Sequence, residues 1–386
     1  MFFFDRAFRS FFLGGSIFAV ISMLAWWSSY SGVVQLNFSG VSPLYWHAHE
    51  MVFGYALATV TGFLLTAVMN WTRANSASGG KLAILFAAWV IARLGYLVDA
   101  PLELIAVFDI GFTLGLFLHF FIPVYKTKLW KQAGLATKFF LLFLANFTYY
   151  AGAFGWLENG ISLGIIAGLF LVLAINLTMI RRLVPFFTVK ALHLGEEKNS
   201  KVLDGLSLVG FLLLMIAAMF FPYHWATAVI AFPLFIVGMI RVKLWYNQGI
   251  WGISLLWPLH FSYAFMVVGM GLYGFVGLEI LNQSIAIHAL AAGGIGLLCS
   301  AIMARISLGH TNRNVFNPSK LVIWVFIILA ITAVVRIIPP IFIPEFYMLW
   351  IQLSQWGWAI GFLLLSIIYW QVLTKPNTPQ DTGIRL

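Results

Sequence analysis

The chain has 386 residues, of which 62% are hydrophobic and 9% charged, with a mean hydropathy of +0.96. A soluble domain carries about 25% charged residues, so this composition excludes a water-dressed globule and makes lipid the solvent. The formal net charge of +10 falls in short loops, where it reads as a topology signal and not as a nucleic-acid surface.

A helix that crosses a bilayer needs roughly 20 apolar residues. Twelve segments meet that need, near 10–30, 46–69, 82–98, 102–124, 138–157, 161–181, 202–221, 225–242, 252–277, 285–306, 320–339 and 347–373. The first is too long for a signal peptide and lacks a small-residue cleavage pattern. With the N-terminus on the cytoplasmic side, every basic residue except Arg93 and Arg336 falls in or beside an inner loop. That bias predicts an even number of spans and two cytoplasmic termini. The expected fold is therefore an all-α, twelve-helix polytopic membrane protein, one integral domain over 1–386. An inner loop around 183–201 divides it into two six-helix halves, about 1–182 and 202–386, between which no residue-level self-similarity is evident. The single cysteine, Cys299, lies in an apolar run and reads as a small hydrophobe.

The second span opens on the most informative stretch, His47-x-His49-Glu50. Imidazole and carboxylate are costly in a bilayer, so such groups mark functional candidates. Topology places His47, His49 and His288 near the outer ends of spans, and His260 and His310 near the inner ends. On a helix, residues two apart point about 200° apart, so His47 and His49 would serve two sites. On an extended segment they would face one side and grip one ion. Glu50 is the candidate to orient an imidazole or to carry protons. His260 and His310, on different helices, could clamp a planar macrocycle from both faces. His119 is either a third member of that group or a satisfied polar residue of the bundle. His193 and His224 read as solvated. Arg93, Asp99 and Glu103 cluster near one outer boundary with Asp109 deeper. Arg93 either pairs with a carboxylate or neutralises a haem propionate or substrate anion, and Arg336 faces the same choice. Arg181 and Arg182 suit propionates or serve as stop-transfer charges.

No P-loop, G-x-S-x-G or C-x-x-C-H occurs, which excludes covalent c-type haem. No adjacent His-His pair occurs either, which separates the chain from haem–copper oxidases and their nitric-oxide reductase relatives. The segments YWHAHEMVFGYALATVTGFLLTAVMNWT, RRLVPFFT, WPLHFSYAFMVVGMGLYG and IHALAAGGIGLLCSAIMARISLGHT resemble, in order and over nearly the whole chain, those of the NnrS family. These are bacterial twelve-span membrane proteins linked to nitric-oxide stress and denitrification and described as containing haem and copper. The resemblance matches His47, His49, His260, His288 and His310 to the family's recurring histidines, and Arg93, Arg182 and Arg305 to its recurring arginines.

The resemblance implies a membrane metalloprotein that handles nitric oxide, with b-type haem and copper as the expected cofactors. An inner haem on His260 and His310 would take electrons from a quinol or another redox partner. An outer centre on His47, His49 and His288 would bind nitric oxide, and Glu50 would supply protons for its reduction to nitrous oxide. Two alternatives stay open: a haem-based nitric-oxide sensor without turnover, and a twelve-span transporter.

Overall fold

A computed structural model describes residues 2–378. The described residues form helices and no strand, as lipid requires of a chain that must satisfy its backbone groups internally. All twelve expected spans are present. They are α1 Ala7–Tyr30, α2 Pro43–Thr72, α3 Gly80–Leu97, α4 Leu102–Lys126, α5 Ala133–Ala153 and α6 Gly160–Leu192. After them come α7 Lys201–Phe220, α8 Trp225–Trp245, α9 Trp257–Gly277, α10 Gln283–Gly309, α11 Val322–Phe342 and α12 Pro344–Thr374. Eleven of them are long and apolar enough to cross a membrane. The remaining one, α5, has 21 residues and carries Lys138, Asn146, Tyr149 and Tyr150. The chain is a multi-pass membrane protein.

Two boundaries move for visible reasons. The inner loop expected from 183 onward is helical as far as Leu192. The segment RRLVPFFT buries Val184, Phe187 and Thr188, and Thr188 returns its hydroxyl to the Val184 carbonyl at 2.7 Å. Those contacts hold the turn around Pro185. The span expected from 252 begins instead at Trp257, where Pro258 fills the first turn and needs no intrahelical donor.

The chain divides into two compact units. The first gathers the described residues up to Val172, Arg305–Asn314, and those from Phe362 onward. Here the end of α12 is tied to α1. Arg9, 4% exposed, donates to the carbonyls of Leu373 and Lys375 and to Asn377 Oδ1 at 2.9, 2.8 and 2.6 Å. Ser366 donates to Ser16 at 2.9 Å. The second unit comprises Leu173–Ala304 and Val315–Gly361. Many large apolar side chains, such as Ile84, Val107, Ile236 and Ile367, are exposed, which suits a surface that lipid covers.

A candidate site: a buried acid–base cluster

In the first unit the start of α2 is not a uniform α-helix. Ser42 caps Pro43–His49, and a π-helix follows over Glu50–Ala56. Its wide turns show in the Leu57 amide, which donates to Val52, five residues back. The side chain of Trp89 on α3 donates to the Gly54 carbonyl at 3.0 Å. Gly54 is required there. A Cβ at this position would lie 2.5 Å from the Phe18 ring of α1 and about as close to Arg93 and Glu50 as hydrogen-bonding atoms come, at 3.0 and 3.1 Å.

This backbone brings His49 and Glu50 to full burial, both at 0% exposure. His49 Nδ1 lies 2.9 Å from Glu50 Oε1, and Nε2 lies 2.9 Å from Asn146 Oδ1 and 3.3 Å from Asp109 Oδ2. The ring stacks on Tyr149 at 4.0 Å between centroids and 22° between planes. Arg93, on α3, spans two carboxylates. It donates to Glu50 Oε1 at 2.9 Å and forms a close ion pair with Asp109 of α4. Asp109 Oδ2 also accepts from Asn146 Nδ2 at 3.2 Å and from Tyr150 at 3.1 Å. Tyr96 of α3 then bonds to the Tyr149 and Tyr150 hydroxyls. Glu50 Oε2 is buried with no hydrogen-bond partner among the described residues.

The cluster answers the open question about His47 and His49. The segment is helical, so the two rings part: His49 enters the cluster, while His47 stacks on Trp26 at 4.7 Å and 9°. Arg93 pairs with Glu50 and Asp109. Asp99 instead accepts from Asn37 and the Ser39 amide outside the cluster. Sequence reasoning passed over Asn146, Tyr149 and Tyr150. Their spacing of three and four residues places them on one helix face, and a polar face on an otherwise apolar span was the available signal. Tyr96 sat beside Arg93 with no comparable mark.

The other candidates lie elsewhere. In the second unit, His260 Nε2 is 2.8 Å from Thr188 Oγ1, and His288 Nδ1 is 2.7 Å from the Ser284 carbonyl one turn back. Arg182 is half-buried on α6. Arg305, on α10, is 2% exposed and belongs to the first unit. His310, also in the first unit, lies 5.5 Å from the Phe8 ring. Burial, with the Arg6 charge second, pushes its imidazole down to about 4, so the ring is neutral near pH 7. His224 caps α8 by accepting the Ala226 amide, a structural role. Asp204, not singled out in the sequence, binds Arg181 at 2.5 Å and Arg241 at 2.9 Å.

Two different answers come from testing these donors against a haem or copper ion. His310 fits an axial ligand: it is neutral, and neither ring nitrogen has a hydrogen-bond partner among the described residues. His260 fits as well, with one nitrogen oriented by Thr188 and the other unengaged among the described residues. His49 does not fit, because both its nitrogens are engaged. Among the described residues no group of three or more His, Cys, Asp or Glu side chains is placed to hold a metal ion. The family described as NnrS protein matches residues 2–377. No curated protein matches the chain.

Proposed function

The chain belongs to the NnrS family, and on that premise we propose that it is a nitric-oxide-handling protein of the bacterial inner membrane that reduces nitric oxide to nitrous oxide. Two nitric oxide molecules, two protons and two electrons from a quinol-class donor give one nitrous oxide and one water. The observation that carries this reading is the buried cluster of His49, Glu50, Arg93 and Asp109. Nitric oxide dissolves in lipid and needs no channel. Protons do not cross lipid, so a reaction that consumes them inside a bundle needs acid–base groups at depth.

The residues divide the work. Glu50 is the proton donor, with Arg93 and Asp109 fixing its carboxyl. His260 with Arg182 in the second unit, and His310 with Arg305 in the first, are the imidazole and guanidinium pairs that would hold haem iron and a propionate. A b-type haem, when bound, supplies the one-electron chemistry.

The test is an optical spectrum of the detergent-purified protein, reduced with dithionite, before and after nitric oxide, with nitrous oxide measured in the headspace. Haem bands that shift and a gas product are expected. A colourless protein despite haem supply, or bands indifferent to nitric oxide, overturns the reading. Shifted bands without product would convert it to a binding protein. The transporter reading is favoured by one observation, the π-helical interruptions of α2 and α10, and the colourless outcome would select it.

A further inference from the structure

Two carboxylates, one guanidinium and one imidazole meet in a site that is at most 2% exposed. With a neutral imidazole the group carries one excess negative charge. An unbalanced charge at depth costs several kcal/mol. No other cation reaches the cluster among its described partners. The groups facing the His49–Glu50 pair are Arg93 and Tyr96 from α3, Asp109 from α4, and Asn146, Tyr149 and Tyr150 from α5.

Hydrogen-bond directions then choose where the balancing charge sits. Asn146 Nδ2 donates to Asp109 Oδ2, which fixes Oδ1 as the atom facing His49. His49 Nδ1 faces a carboxylate oxygen and Nε2 faces an amide oxygen and a second carboxylate oxygen. Both nitrogens therefore face acceptors. A neutral ring has one N–H and would turn a lone pair toward an acceptor on its other side. We propose that this cluster is a proton-binding site that holds one proton as the His49 imidazolium, exchangeable with Glu50. The exchange balances: the Nδ1–H bond breaks, an O–H bond forms on Oε1 2.9 Å away, and the net charge of the cluster stays at zero. A half-turn of the carboxyl group about Cγ–Cδ then carries the protonated oxygen to the position of Oε2, which has no partner of its own among the described residues, and from there the proton can leave. The inference deepens the reading of Glu50 as donor by naming the store behind it.

The experiment is solid-state NMR of protein labelled with 15N-histidine, in lipid vesicles near pH 7, with the His49 signals assigned by their loss in His49→Asn. Two protonated ring nitrogens are expected for the wild type. Glu50→Gln removes one negative charge, so His49 should there show one protonated and one bare nitrogen. Asp109→Asn should do the same and serves if Glu50→Gln does not fold. A neutral His49 in the wild type overturns the proposal, and so does an imidazolium that survives both substitutions. A neutral ring whose signals shift when sodium is replaced by choline would assign the balancing charge to a metal cation instead. Missing nitrous oxide beside a wild-type imidazolium would remove the reductase reading and leave the proton site standing.

Discussion

The second and tenth spans share a backbone device and differ in charge. In α2, His49 closes a short α-helix and a π-helix runs over Glu50–Ala56. In α10, His288 closes Gln283–His288 and a π-helix runs over Ala289–Gly296. Five residues after each histidine stands a glycine, Gly54 or Gly293, whose added Cβ would lie 2.5 Å from a phenylalanine ring. The rings belong to the preceding spans, Phe18 of α1 and Phe265 of α9. Farther along in the same register, Thr72 and Thr311 return their hydroxyls to carbonyls four residues back. The following spans, α3 and α11, carry Arg93 and Arg336 in their C-terminal halves. Chemistry parts the two regions, first at the position after each histidine. Glu50 is replaced by Ala289, which packs with Ile285, Ala333 and Ile337 in an apolar cluster. Arg336 donates to the Ser284 hydroxyl where Arg93 meets two carboxylates. The wide helical turn thus follows from ring-on-glycine packing and needs no charge, while the acid–base function is added by two carboxylates.

The sharpest way to test that division is to remove each arginine. Arg93→Ala leaves the two charges of Glu50 and Asp109 against the single His49 imidazolium, and breaking a buried pair costs about 3–5 kcal/mol. The variant should aggregate at far lower temperature than the wild type in detergent. The triple change Arg93→Ala, Glu50→Gln, Asp109→Asn should recover most of the loss, because no charge is then left unpaired. Arg336→Ala removes a hydrogen bond to the neutral Ser284 hydroxyl, and a smaller loss is expected there than at the carboxylate-bound Arg93. Equal losses at the two arginines would mean that the regions are electrostatically alike after all.

The glycines test the packing side. Gly54→Ala and Gly293→Ala should each destabilise by about 1–3 kcal/mol, the range for overpacking. Gly54→Ala should lie at the upper end, because its methyl also presses on Arg93 and Glu50. Phe18→Leu combined with Gly54→Ala should recover stability through a favourable coupling in a double-mutant cycle. A neutral Gly293→Ala would break the claim that one packing device shapes both spans.

The tenth span is followed by a titrating group that the second span lacks: His310 holds the register position of Trp71. Its folded imidazole, pushed down to about 4 from 6.5, resists a proton that the unfolded chain accepts. The stability it contributes is complete above pH 6.5 and is lost as pH falls toward 4. The loss should be roughly 2 kcal/mol, allowing for partial exposure of the ring. In haem-free protein, thermal midpoints recorded across that window should fall, and His310→Gln should flatten the profile. An unchanged slope would place the acid sensitivity elsewhere.

Much of this architecture was legible in the residues. All twelve spans follow from runs of apolar side chains, because lipid imposes length and hydropathy on each helix separately. Glu50 and His49 stood out because charge at a span is costly. The partners of His49 were hidden for a physical reason. Asp109 and Asn146 belong to other helices, and nothing local says which helix face meets which. Hence Arg93 read equally well as a partner of the nearby Asp99 as of the distant Asp109. The π-helices were invisible too, since EMVFGYA and ALAAGGIG share little beyond a glycine. The likeness of spans one to three and nine to eleven lies in packing positions, so a comparison of the two sequential halves had nothing to find.

The smallest expected difference concerns how each histidine is held. His288 bonds to a carbonyl of its own helix at 2.7 Å, a bond that any residue at 284 would supply. His49 depends on Asn146, which reaches from α5 and also braces Asp109. Asn146→Ala removes both contacts and leaves His49 Nε2 with only the longer contact to Asp109 at 3.3 Å. The cost should be about 1–2 kcal/mol, the range for a buried polar group that loses its partner. Ser284→Ala should cost about 1 kcal/mol or less, because only the hydroxyl contacts to Arg336 and His288 go. The two variants should also part in the 15N spectrum. Asn146→Ala should broaden or shift the His49 Nε2 signal, whereas Ser284→Ala should leave the His288 Nδ1 signal in place. If both histidines respond alike, the second span's ring is not held across helices, and the contrast between a packed region and a chemical one loses its ground.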